Sequence, residues 1–107
     1  VSMESEKIRK RFIPMSETMF YILSSLTEDR HGYGIMQHVA ALTNGRVVLG
    51  AGTIYQTLAK LEKEKLIEAT REVDRKKEYR ITDTGRWILR EEARRICELS
   101  DLAKELM

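Results

Sequence analysis

Between residue 50 and the end of the chain the spacing of apolar residues changes period twice, and few folds accommodate such a pattern. In "GAGTIYQTLAKLEKEK", Ile54, Leu58 and Leu61 fall at i, i+4 and i+7, a single stripe on a helix. "LIEATREV" and "KEYRIT" then alternate apolar with polar residues, through Ile67, Ala69 and Val73 and again through Tyr79 and Ile81. The polar run "DRKK" between them reads as a hairpin loop. Thr82 is placed to cap a last helix running from Asp83 nearly to Met107, where the helical period returns. Helix, two-stranded hairpin and long helix must therefore share one core.

Upstream, Pro14 marks a boundary and Ser16 is a plausible N-cap for a helix carrying Met19, Ile22, Leu23 and Leu26. "TEDRHG" ends it. A second helix is predicted from about Gly32 to Thr43, with Ile35, Val39 and Leu42 on its buried side and Asn44-Gly45 as its stop. "RVVL", residues 46–49, has room for one small strand. The sum is a mainly helical α+β chain, a winged helix-turn-helix with the hairpin as its wing. Residues 1–14 form a basic N-terminal arm, 15–82 the winged helix-turn-helix and 83–107 a C-terminal dimerisation helix. Val1 and Ser2 precede Met3, where a natural start is expected.

The third helix opens oddly, with Gly50, Ala51 and Gly52 before Thr53. A helix N-terminus offers unpaired N–H groups and a partial positive charge, both suited to a phosphate. Glycines there let another backbone approach closely. Thr53, Gln56, Lys60 and Lys63 lie off the buried stripe and are types that reach base edges or phosphates in a major groove. The face has the character of a recognition helix.

With 107 residues and 42% hydrophobic content, one modest core is expected. The net charge of +2 says little, but its placement does: Lys7, Arg9, Lys10 and Arg11 cluster near the start, and Arg75, Lys76 and Lys77 run together. The single cysteine, Cys97, excludes an intrachain disulfide, and no Cys/His spacing suits zinc. No run approaches the ~20 apolar residues of a membrane span, and Pro14, Ser16, Glu17 and Thr18 break the apolar stretch that would make a signal peptide. A reducing, cytoplasmic setting is expected.

"HGYGI" at 31–35, "GAGTIYQTLAKLEKEKLIE" at 50–68 and "KKEYRITDTG" at 76–85, with the spacing between them, are similar to the PadR family of transcriptional regulators. The resemblance covers roughly residues 15 to 107 and is to the short branch with a single C-terminal helix. Members often carry proline at the position of Ala51 and paired arginines in the wing, where Arg75, Lys76 and Lys77 stand here. The resemblance implies a homodimeric repressor on a palindromic operator in double-stranded DNA, with one third helix per major groove and the wing on the flanking backbone or minor groove. It assigns DNA contact to Thr53, Tyr55, Gln56 and Lys60, and to Arg71, Arg75, Lys76 and Lys77 of the wing. It also implies that a small, flat aromatic effector can sit between subunits.

Bland readings stand beside these. Tyr55 lies at the edge of the buried stripe, between core and phosphate. His31 and His38, seven residues apart, are about 10 Å apart in rise, too far for one metal ion; His31 is expected to close the turn before the second helix and His38 to be a surface residue. Cys97 has no neighbouring base and reads as a buried small hydrophobe. No group of side chains assembles a catalytic site or a cofactor site, so no enzyme is expected. The stripe of Leu89, Ala93, Ile96, Leu99, Ala103 and Leu106, widened by Leu102, exceeds what one small core can cover and predicts pairing with a second copy. Trp87 is expected to pack between helix and hairpin, with effector contact a secondary role. The arm is balanced between following phosphates and a solvated lead-in. The competing class is a winged helix used for protein–protein interaction, which has no need of the cations Lys60, Lys63 and Arg71 around the exposed helix.

Overall fold

The computed structural model describes residues 3–107; Val1 and Ser2 of the arm lie outside the described residues. In chain order the elements are α1 (Met3–Phe12), α2 (Glu17–Ser25), β1 (Arg30–His31), α3 (Gly32–Leu42), α4 (Ala51–Lys63), β2 (Ile67–Val73), β3 (Lys76–Ile81) and α5 (Asp83–Leu106). The three strands form an antiparallel sheet in the order β1-β3-β2. Ile22, Leu23, Leu26, Ile35, Ile54, Leu58, Leu61 and Ile88 close the core, all essentially without solvent contact. Helices α2, α3 and α4 with the β2–β3 hairpin make a winged helix.

Local chemistry sets the boundaries. The Ser16 hydroxyl accepts from the Met19 N–H at 3.1 Å, His31 Nδ1 from the Gly34 N–H at 3.2 Å and the Thr82 hydroxyl from the Gly85 N–H at 3.1 Å, capping α2, α3 and α5. Two helices end by the same device. Gly45 N–H reaches the Ala40 carbonyl at 2.8 Å after α3, and Leu66 N–H reaches the Leu61 carbonyl at 2.9 Å after α4. Asn44 and Lys65 take the left-handed position in these two stops, at φ 52 and 61. The hairpin turns through Asp74 and Arg75 alone, both at positive φ, as a tight turn between right-twisted strands requires. Lys76 and Lys77, assigned above to the loop, belong to β3.

Four further differences have physical causes. Residues 46–49 form no strand, because Thr43 Oγ1 accepts from the Val47 N–H at 3.0 Å and Leu49 is drawn into the core; the third strand is Arg30–His31, beside β3. Residues 3–12, expected only as an arm, are helical. Phe12 is buried in the core, and Arg9 and Arg11 pair with Glu91 of α5 at 3.2 Å and Glu64 beyond α4 at 3.1 Å. Leu42 and Val73 are exposed, the first at the end of α3 and the second near the hairpin tip, both beyond the reach of the core. Cys97 is exposed as well, since α5 has left the rest of the subunit by that point.

Only the first half of α5 packs on its own subunit, through Gly85, Ile88 and Glu92. Glu92 is 1% exposed and accepts from Arg95 at 2.8 and 2.6 Å, a two-point pair. Hydrogen bonding from Arg95, helped by the Met15 backbone N–H, holds its carboxyl below the usual range against the opposing effect of burial. A carboxyl depressed by folding stabilises the fold above its unfolded pKa, roughly pH 4, and that contribution vanishes as pH falls through the folded value. Glu92→Gln is expected to lower the unfolding free energy by about 1–3 kcal/mol at pH 7. Urea melts of both proteins should converge as pH is lowered through 4 and below; a difference that stays constant with pH would exclude the ionised pair as its source.

Candidate nucleic-acid interface

Helix α4 turns Ile54, Leu58 and Leu61 inward, which leaves Thr53 and Gln56 exposed on its outer side. Its first turn carries no side-chain cap. A Cβ built on Gly50 or Gly52 would meet nothing within 4 Å, and Gly50 has an ordinary φ of −79. The fold itself therefore has no need of glycine at either position. What the glycines leave is open space in front of unpaired N–H groups, accessible to something outside the subunit.

Tyr55 is 55% exposed, yet it is seated. Its ring and hydroxyl lie over the start of α3, where a Cβ on Gly32 would fall 2.8 Å from them. Gly32 is thus a site residue that sequence reasoning missed, although "HGYG" carried the signal. From this seat Tyr55 forms one wall of a cleft of about 250 Å³, whose other walls include Arg75, Lys76, Lys77 and the buried Tyr79. Arg75, Lys76 and Lys77 are exposed and have no ion-pair partner among the described residues. Tyr55 of α4 and the cationic tip of the wing thus share one cleft, which His31 and the acid Glu72 also line.

Two of the candidate cations stand differently. The Lys60 ammonium lies 5.5 Å from the centroid of the Phe12 ring, drawn toward α1. Arg71 donates through Nε to Glu78, its neighbour across the β2–β3 ladder. Arg71 in turn holds the Glu78 carboxyl below its usual range, with His31 contributing, and is itself raised by the carboxylate. His38 Nδ1 is 3.3 Å from an Arg30 guanidinium nitrogen and His31 is spent on its cap, so both histidines have structural partners.

The family model described as the transcriptional regulator PadR-like family matches residues 20–91. The chain belongs to that family. The PadR-like match takes in α3, α4, the whole hairpin and the start of α5, whereas α1 precedes it. Transcriptional regulator YqjI of Escherichia coli strain K12 is 34% identical over 82 residues, 75% of this chain and 40% of YqjI. The chain spans about two-fifths of that relative's length. A PadR-like transcriptional regulator from Bacillus cereus superposes with a TM-score of 0.71 and 29% identity over 83% of this chain and 89% of that one. Bacillus subtilis PadR, solved in complex with operator DNA, gives a TM-score of 0.64 and 25% identity over 71% of this chain and 46% of that one.

Along α5 of this PadR-like chain, Leu89 and Ala93 are half-buried, while Ile96, Leu99, Leu102, Ala103 and Leu106 are exposed. Trp87 is half-buried and packs against the core together with Leu89. Among the described residues no helix is long and apolar enough to cross a membrane, and no group of three His, Cys, Asp or Glu side chains is placed to hold a metal ion. Because Gly52 sits in a helix with free space around it, Gly52→Ala is expected to raise thermal stability, by up to about 1 kcal/mol. Calorimetry checks this, and a loss of stability would mean that the fold does require the glycine.

Proposed function

We propose that this PadR-like regulator is a homodimeric, sequence-specific DNA-binding repressor that binds a palindromic operator. One observation carries the reading: Tyr55, one turn into the uncapped α4, and the unpaired cations of the wing tip line a common cleft. Each α4 enters a major groove, where Thr53 and Gln56 meet base edges and the first-turn N–H groups meet a phosphate. Tyr55 sends its hydroxyl to the backbone. Arg75, Lys76 and Lys77 grip the flanking phosphates, with Lys60 adding positive surface on one side and Arg71 held on Glu78 at the other. The Bacillus subtilis relative, solved on operator DNA, supports this reading by its shared fold.

The stripe Leu89, Ala93, Ile96, Leu99, Leu102, Ala103 and Leu106, exposed from Ile96 onward, pairs with the same stripe of a second copy, giving the two-fold symmetry of a palindrome. Repression is relieved when the separation or angle of the two α4 helices changes, because both must fit one face of the duplex. A small aromatic effector lodged between the subunits, near Trp87, is one means of producing that change.

Titration with the chain's own upstream DNA and with scrambled duplex, across several salt concentrations, tests the reading. Lys76→Ala is expected to weaken binding to every sequence and to lower the salt slope by about one, whereas Gln56→Ala should flatten the preference at particular base pairs. Equal losses on operator and scrambled DNA for Gln56→Ala would remove it from base reading. Absence of any duplex preference in the unaltered protein would instead favour a protein-interaction module. Leu99→Arg, at an exposed seam position, should leave the subunit folded and give a monomer in sedimentation analysis, with operator affinity down about 100-fold or more. A dimer that survives the substitution would move the interface elsewhere.

A further inference from the structure

The wing carries an acid where a DNA-gripping surface has no use for one. Along β3 the side chains alternate, so buried Tyr79 faces the core and Glu78 faces the opposite side of the sheet with Lys76. A bulge between Ala69 and Arg71 in β2 brings Arg71 directly opposite Glu78, while His31 of β1 lies opposite Glu78 on the other flank. Glu78, Arg71, Lys76, His31, Val73 and Asp74 line a second cleft of about 210 Å³ on this outer face of the wing. The Glu78 side chain is only 15% exposed, whereas its Arg71 partner is 68% exposed. The acid is therefore fixed in the sheet, and the arginine folds back onto it.

Resting on the DNA-binding reading above, we infer that Glu78 is a specificity-determining residue: by holding the Arg71 guanidinium it keeps that arginine from gripping phosphates of any sequence. A phosphate contact adds affinity without information, since every duplex offers the same backbone. To make one, Arg71 must leave a carboxylate that cannot swing away from the sheet. That carboxylate would then face the phosphate unneutralised, and the like charges repel. The Arg71–Glu78 pair is thus nearly neutral in its effect on DNA affinity. The three tip cations, with no such partner, supply the general grip, and the balance between wing and α4 stays with the helix that reads bases.

The test compares four proteins, the unaltered chain, Glu78→Gln, Arg71→Ala and the double variant, each titrated with operator and with random duplex over a range of salt. Glu78→Gln is expected to bind random duplex about five- to tenfold more tightly near 0.1 M salt, with a log–log salt slope steeper by about 0.9. Operator affinity should rise by less, so the ratio of specific to random binding falls. Arg71→Ala alone leaves Glu78 unneutralised and should weaken random binding, whereas adding it to Glu78→Gln should abolish the gain and return random binding to within about twofold of the unaltered chain. Should the amide variant fail to fold, Glu78→Asp, which withdraws the carboxylate from Arg71, is expected to give a smaller gain of the same sign. The inference is overturned if the double variant keeps the gain, if neither Glu78 variant gains, or if Arg71→Ala alone tightens random binding. If the unaltered protein binds no duplex, the DNA-binding reading falls first and this inference with it.

Discussion

Everything in the subunit is aligned by one close approach, at Gly85. A Cβ there would lie 2.1 Å from the Leu66 carbonyl oxygen and 2.7 Å from Ile81 Cγ1, so only a glycine lets α5 start where it does. That same Leu66 carbonyl accepts the Thr82 N–H at 3.0 Å, and the Thr82 hydroxyl both donates to the Lys65 carbonyl at 2.8 Å and accepts from Gly85 N–H. Ile81 N–H reaches the Leu26 carbonyl at 2.8 Å, which ties in the end of α2. The end of α4, both ends of the hairpin and the start of α5 thus meet within a few residues. Any displacement of α5 at this junction must carry the recognition-type helix and the wing with it, because the backbone hydrogen bonds leave no slack.

Much of this was legible in the sequence, and the legible parts share a cause. Ser16, Thr82 and Asn44-Gly45 act through their immediate neighbours, so a chain of a few residues contains the whole interaction. The hairpin was visible for the same reason, although Asp74 and Arg75 make a tighter turn than the charged run "DRKK" suggested. Interactions that depend on distant partners were not visible. "RH" shows no strand pattern, and β1 exists only because β3 offers it an edge. The sequence left α1 balanced between an arm along phosphates and a solvated lead-in, because its arginines find Glu91 and Glu64 more than fifty residues away. Nothing local announces that Glu92 will be buried with the Met15 backbone N–H on its carboxyl.

The same division runs through the candidate interface. The run Arg75, Lys76 and Lys77 and the bare start of α4 stand out in the sequence, and the fold brings that run to one cleft with Tyr55, a turn into α4. Which cations are occupied could not be read there. Lys60 and Arg71 belong to the same charge count as Lys76, but one lies against Phe12 and the other on Glu78. A count of basic residues thus overstates the positive charge available to a phosphate, and a difference of one available contact alters salt dependence by about one unit of slope.

The rigidity of the junction also bears on where regulation enters. Within a subunit α4, the wing and the first half of α5 form a block, closed by the Gly85 contact and by the Glu92–Arg95 pair on Met15. A ligand that strained this block would have to break several hydrogen bonds before moving α4 by an ångström. From Ile96 onward the residues of α5 are exposed, and Ile96 lines a shallow cleft beside Phe20 and Tyr21. On the proposed dimeric reading, the soft coordinate is therefore the angle between two such helices, where packing alone sets the geometry. Since each block moves whole, a small rotation about the seam is multiplied by the distance from seam to α4, and that is how a modest change between subunits would spoil the fit to both grooves at once.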